Sequence, residues 1–250
     1  MNYKIFASLL IFLAITMTSL ADNKKAEDIA EKSVKANGGK EKFEALKSLT
    51  LTADLKIPAQ GVEYKITFWM KKPDKMKILT DVPAAGMKLE AGTDGKVIWG
   101  TQPGSDKRMV VPESNAGMVS SQLQSFKGIL DPPMLDYKEK GLTLAFKGLE
   151  DIDERKCNVI TATDNNGSKT DFYFDAISNL VYSTKSVVDV NGENTSIVTK
   201  VVEYQRVEGM TIPKRIEAYQ NDELQTKISV SGIKLNENYP DSDFSAGDNK

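Results

Sequence analysis

Leu49-Thr50-Leu51-Thr52-Ala53-Asp54-Leu55-Lys56-Ile57 alternates apolar and polar residues without a slip. Successive side chains of a strand point to opposite faces, so this stretch reads as a strand with one face buried. Pro58 to Gly61 then turns the chain, and Val62, Tyr64, Ile66, Phe68 and Met70 alternate with Glu63, Lys65, Thr67, Trp69 and Lys71. The two strands form a long hairpin. Beyond Pro73-Asp74 the pattern continues through Met76, Ile78 and Thr80. Met87–Ala91 and Lys96–Gly100 flank Thr93-Asp94-Gly95, whose Asp-Gly pair is a strong hairpin turn signal.

From Thr101 to Asp136 the alternation stops, and Pro103, Pro112, Pro132 and Pro133 surround a short helix expected over Ser114 to Leu130. It resumes at Leu142–Phe146 and continues through Lys156–Thr163, Lys169–Phe174, Leu180–Val188, Thr195–Val207, Thr211–Gln220 and Leu224–Leu235. The joints are turn chemistry: Asp164 to Gly167, Asp175 to Asn179, Asn191-Gly192, Glu208-Gly209 and Asn221-Asp222. About eleven strands are expected, with no repeat and no linker between them. The fold class is mainly β, one domain over 22–250. A single antiparallel sheet of that size must curl, because strand twist accumulates, and the expectation is a half-open, incomplete β-barrel with helices on its concave side.

Towards the amino terminus, Lys25 to Asn37 reads as a helix with Ala26, Ile29, Ala30 and Val34 on its apolar side, capped by Asp22 or Asn23 and stopped by Gly38-Gly39. Lys40 to Leu46 is a second, short helical piece offering Phe43 and Leu46. Before them, Lys4 precedes an apolar run from Ile5 to Met17 that ends in Thr18-Ser19-Leu20-Ala21. This is a secretory signal peptide, 1–21, with small residues at Ser19 and Ala21 and cleavage expected after Ala21. In a bacterium with two membranes the destination is the periplasm.

Composition narrows the chemistry. The chain has 250 residues, 40% hydrophobic and 27% charged, with a net charge of −2, no histidine and one cysteine. No His-dependent nucleophile, no His-ligated zinc and no internal disulfide framework is available. Charges of both signs are interspersed, so nucleic acid is not an expected partner. Cys157 reads as a small buried strand residue. Glu150, Asp151, Asp153 and Glu154 fall in what reads as a solvated turn and lack the spacing of a calcium loop. No metal, no cofactor and no enzymatic activity are expected.

Several elements occur in an order that resembles a known family. They are the helix ending in Asn37-Gly38-Gly39, the strand beginning Leu49-Thr50-Leu51, and Lys72-Pro73-Asp74-Lys75-Met76-Lys77. Asp94-Gly95-Lys96-Val97-Ile98-Trp99, Glu208-Gly209-Met210-Thr211-Ile212-Pro213, and Ile233-Lys234-Leu235-Asn236 with Phe244 behind it complete the series. Together they resemble the LolA/LolB-like periplasmic lipoprotein carriers and the related outer-membrane lipoprotein-sorting proteins. The resemblance implies an unclosed barrel capped by helices, which holds acyl chains of lipoproteins or related lipids in an apolar hollow. It also implies a chaperone-like role between an inner-membrane donor and an outer-membrane acceptor. Those carriers place a functional arginine early in the barrel, whereas the first arginine here is Arg108.

Lipid-binding candidates on one face of the strands are Tyr64, Ile66, Phe68, Met76, Ile78, Met87, Leu89 and either Ile98 or Trp99, which as neighbours point to opposite faces. Singly each reads as a core residue; as a set they read as the lining of a hollow, because the helices are few. The expected helix adds Met118, Leu123 and Phe126, with Val119, Ile129 and Leu130, as a lid that plugs the hollow when it is empty. Phe68 is expected to border open space. A monomer carrying lipid is the leading reading. An envelope sensor or scaffold binding a protein partner is the second, and a carboxylate-dependent glycosidase the third.

Overall fold

The computed structural model describes residues 22–128, 132, 134–190 and 192–247. The leader read at 1–21, with its cleavage site, and Ile129 and Leu130 lie outside the described residues. The structure is mainly β: β1 (Ser48–Ile57), β2 (Val62–Lys71), β3 (Lys75–Val82), β4 (Met87–Thr93), β5 (Ile98–Thr101), β6 (Arg108–Val110), β7 (Thr143–Ile152), β8 (Arg155–Thr163), β9 (Lys169–Asp175), β10 (Val181–Val190), β11 (Glu193–Val207), β12 (Met210–Gln220) and β13 (Glu223–Leu235). They form one sheet in the order β6-β5-β4-β3-β2-β1-β13-β12-β11-β10-β9-β8-β7, which is not closed on itself. The strands number thirteen instead of about eleven. Among them β6 falls in the segment read as irregular, because three residues are too few to show alternation. The helices are α1 (22–36), α2 (Lys40–Ala45) and α3 (Glu113–Lys127).

The chain divides into two compact units, Met1–Asn37 with Pro133–Val198, and Gly38–Pro132 with Thr199–Lys250. In the first, α1 lays Ala26, Ile29 and Ala30 on Leu144, Ile160, Ala162, Phe172 and Phe174, with Val34 partly buried beside them. The apolar side read from the sequence is the side that packs. Glu27 on the same helix accepts from the Tyr137 hydroxyl at 3.1 Å and pairs with Lys138 at 2.8 Å. The opposite face of β8 and β9 buries Cys157, Val159 and Tyr173.

The β7–β8 joint corrects one expectation. Glu150 and Asp151 lie within β7, paired with Cys157 and Lys156, and only Asp153 and Glu154 turn the chain. Both have positive φ, 47° and 65°, the two-residue hairpin geometry that fits the twist of the strands and allows them to run further than alternation alone shows.

In the second unit the β1–β2 and β3–β4 hairpins solve the same turn in the same way. Ile57-Pro58-Ala59-Gln60-Gly61 and Val82-Pro83-Ala84-Ala85-Gly86 each make one 3₁₀ turn, with proline fixing its start and a left-handed glycine (φ 63° and 60°) reversing the chain. All four residues from proline to glycine in each turn are exposed. β1 pairs on its other side with β13, Leu49 opposite Leu235 and Leu55 opposite Ile228, with a bulge at Thr52/Ala53.

After β13 the chain runs without strand structure along β1–β6. Lys47 N–H donates to Asn236 Oδ1 at 2.8 Å, Lys71 Nζ to the Tyr239 carbonyl at 2.7 Å, and Lys71 and Lys75 both to Asp241 at 2.6 Å. Phe244 is fully buried.

Candidate functional site

Cross-strand partners share a face, so the register of the second unit says which side chains stand together. One row reads Leu51, Phe68, Ile78, Ala91, Gly100; a second, Leu49, Met70, Met76, Thr93, Ile98; a third, Ala53, Ile66, Thr80, Leu89. Leu55 stands opposite Tyr64 and Val82 opposite Met87 on the same face. The face therefore collects Tyr64, Ile66, Phe68, Met76, Ile78, Met87, Leu89 and Ile98, and none of the residues in these rows is charged. The polar groups between them, Glu63, Lys65, Lys77 and Lys88, take the other side.

α3 lies across β3, β4 and β5 of this face. Its contribution is narrow: of its fifteen residues only Leu123 and Phe126 are buried, the Phe126 ring stacking on Phe68 with centroids 5.0 Å apart. Ile66, Phe68, Met70, Met76 and Ile78 on this face are buried, while Tyr64, Met87, Leu89 and Ile98 are half-buried. Phe68 is thus close-packed and not beside open space. A cavity of about 230 Å³ lies between α3 and the sheet, and Met70, Met76, Ile98 and Leu123 line it together with Asp74, Lys96 and Lys127.

Two candidates are placed elsewhere. Trp99 stands opposite Gly92 on the other face, where it is fully buried, donates from Nε1 to the Phe244 carbonyl at 2.6 Å, and carries the Arg108 guanidinium 4.2 Å from its ring. Gly92 is needed there, since a Cβ would come 2.5 Å from the indole. Met118 is 74% exposed. It precedes Leu123 by five residues and Phe126 by eight, which at about 100° per residue turns it roughly 140° from the first and 80° from the second.

Arg108 holds Glu90 at 3.0 Å and the carbonyls of Asp243 and Ser245 at 3.1 and 3.0 Å, so it fastens the carboxy-terminal segment instead of facing the apolar side. Sequence reasoning noted Met70 among the methionines that suit an acyl-binding surface but left it out of the lining, although its parity with Phe68 marks it. It also passed over Lys96 and Lys127, which no period distinguishes from surface lysines.

Electrostatics make the single thiol a poor nucleophile. Burial pushes the Cys157 thiol up to about 11, leaving it neutral and inert at physiological pH. Asp153 is occupied by the Tyr182 hydroxyl at 2.6 Å. Among the described residues no group of acidic, cysteine or histidine side chains is arranged to hold a metal, and no helix is long and apolar enough to cross a membrane.

No family model matches the chain, and no curated protein does. Solved structures do. A DUF1329 family protein from Desulfovibrio piger superposes with a TM-score of 0.59 at 13% identity, covering 90% of this chain and 97% of that one. A LolA superfamily protein from Nitrosomonas europaea gives 0.56 at 15% identity over 88% and 97%. A putative outer membrane lipoprotein-sorting protein domain from Vibrio parahaemolyticus gives 0.57 at 13% over 89% and 97%.

The fold is LolA-like. At these identities the likeness speaks for architecture alone. The resemblance read from the order of sequence elements and the superposed backbones meet on the same fold.

Proposed function

We propose that this LolA-like protein is a non-enzymatic carrier, in which the face of β1–β5 takes acyl chains of lipoproteins or related lipids when α3 lifts. The observation that carries this reading is the mismatch between that face and its cover: a broad uncharged apolar surface lies under a helix that buries two side chains. Each methylene moved from water into such a site gains roughly 0.8 kcal/mol, so one chain suffices to compete with two helix side chains. The carrier works as a monomer in the periplasm after loss of 1–21, between an inner-membrane donor and an outer-membrane acceptor. The strand rows of this face carry no pair of carboxylates, which argues against glycosidase chemistry there.

Native mass spectrometry of protein purified from its own periplasm, with lipid extraction of any adduct, tests the reading. A bound acylated species is expected; protein that stays free of lipid even when mixed with acylated peptide would remove it. A second reading, an envelope sensor or scaffold, draws on Val110, 53% exposed on the edge strand β6, and on Met118. A stoichiometric protein partner without lipid would favour it.

A further inference from the structure

The cavity beside α3 is not uniformly apolar. Its floor combines Met70, Met76, Ile98 and Leu123, and two of these are thioethers that adapt to varied chains. Its lining also includes Lys96, on the turn after β4, and Lys127, in the last turn of α3. Among the described residues neither ammonium has an ion-pair partner.

Two carboxylates are near. Asp94 is engaged by the backbone N–H groups of Lys96 and Val97, both at 2.9 Å, which hold its pKa below the ordinary carboxylate range. Asp74 lines the cavity and packs against Gly95, where a Cβ would meet its carboxylate. Asp94 stays negatively charged and acts on Lys96, but it does not line the cavity. The charged lining is Lys96, Lys127 and Asp74, a surplus of one positive charge. At about 230 Å³ the cavity lies below the roughly 300–1,000 Å³ of a site for a compact drug-sized ligand, so it admits one chain and not a bundle of several.

We propose that this cavity takes a single-chain anionic amphiphile, its chain on the methionine floor and its acidic head between Lys96 and Lys127. The inference rests on the acyl-carrier reading and adds to it the charge of the head and the number of chains. Selectivity is electrostatic and solvent-exposed, so it is modest and weakens with salt.

The test compares octyl phosphate, octanoate and octanol as displacers of an uncharged naphthylamine probe. The proteins are the wild type and the Lys96→Gln/Lys127→Gln double variant, with inorganic phosphate as the free-anion arm. The wild type should prefer both octyl anions to octanol by about tenfold at low salt. The preference should disappear in the double variant, while its affinity for octanol and its melting temperature stay unchanged. Inorganic phosphate should neither displace the probe nor abolish the preference.

Equal affinities for anion and alcohol in the wild type, or a preference that survives in the double variant, would overturn the inference and leave the carrier reading intact. Competition by phosphate alone would place recognition in the anion without the chain and overturn it as well. Failure of the probe and of every octyl compound to bind would end both.

Discussion

At the residue scale, the pair Ile98 and Trp99 shows what alternation can and cannot say. Alternation requires the two to face apart, and the structure assigns Ile98 to the α3 side and Trp99 to the carboxy-terminal segment. No local signal could choose between them, because Trp99 is buried by Phe244, far away in sequence. Trp99→Phe removes the donor to the buried Phe244 carbonyl and also part of the fully buried indole that Arg108 covers. It should destabilise the protein by about 1–3 kcal/mol in urea unfolding; an unchanged midpoint would show that the bond contributes nothing.

Asp241 offers a pH-dependent counterpart. Hydrogen bonds from Lys71, then Lys75, lower its pKa from the ordinary 3.8 to about 2. A carboxylate whose folded pKa is depressed contributes stability that is complete above its unfolded pKa and lost as pH falls through the folded one. Asp241→Asn should therefore lower the melting temperature at pH 7, and the gap from wild type should close between about pH 4 and pH 2. A gap that persists at pH 2 would assign the effect to packing instead.

At the scale of elements, α1 was legible because its apolar positions repeat at helical spacing and its end carries two glycines. The strands from β1 to β5 were legible because their polar residues mark the exposed face. β6 and the segment after Leu235 were not, since three residues and an irregular chain have no period to read. α3 was legible as a helix but not in its stripe: Met118 and Leu123 are equally apolar, and only their angle round the axis separates them.

The helix is weakly held. It has no side-chain cap at Pro112, an internal Gly117, several serines of middling propensity, and two buried anchors. Its amides should exchange with deuterium well before those of β1 and β2, and Phe126→Ala should widen that difference by loosening α3 while leaving the strands protected. Exchange of α3 at the same rate as β2 would mark it as a fixed cover and remove it as a lid.

For the whole molecule, the sequence specified hairpin neighbours, open-sheet class and a LolA-like order of parts, while the pairing of β1 with β13 had no local trace. Such a pairing is set by complementarity between edges that sequence separates almost completely. The proposed export is tested on the whole chain. The mature protein is expected to begin at or near Asp22 and to be released by osmotic shock; recovery of the intact chain from Met1 in membranes would contradict this. N-terminal sequencing of the shock fluid decides it.

The place of β1 in the strand order has a consequence for biogenesis. A chain that emerges amino terminus first completes β1 and β2 long before β13 exists, so Leu49 to Ile57 waits with one row of backbone donors and acceptors unsatisfied. Until residues 223–235 arrive, that edge is a template for any other strand, its neighbour's nascent copy included. Yield should then depend on how quickly the last third of the chain is delivered. The final hairpin, and not the first, is where a slow codon or a truncation does most harm.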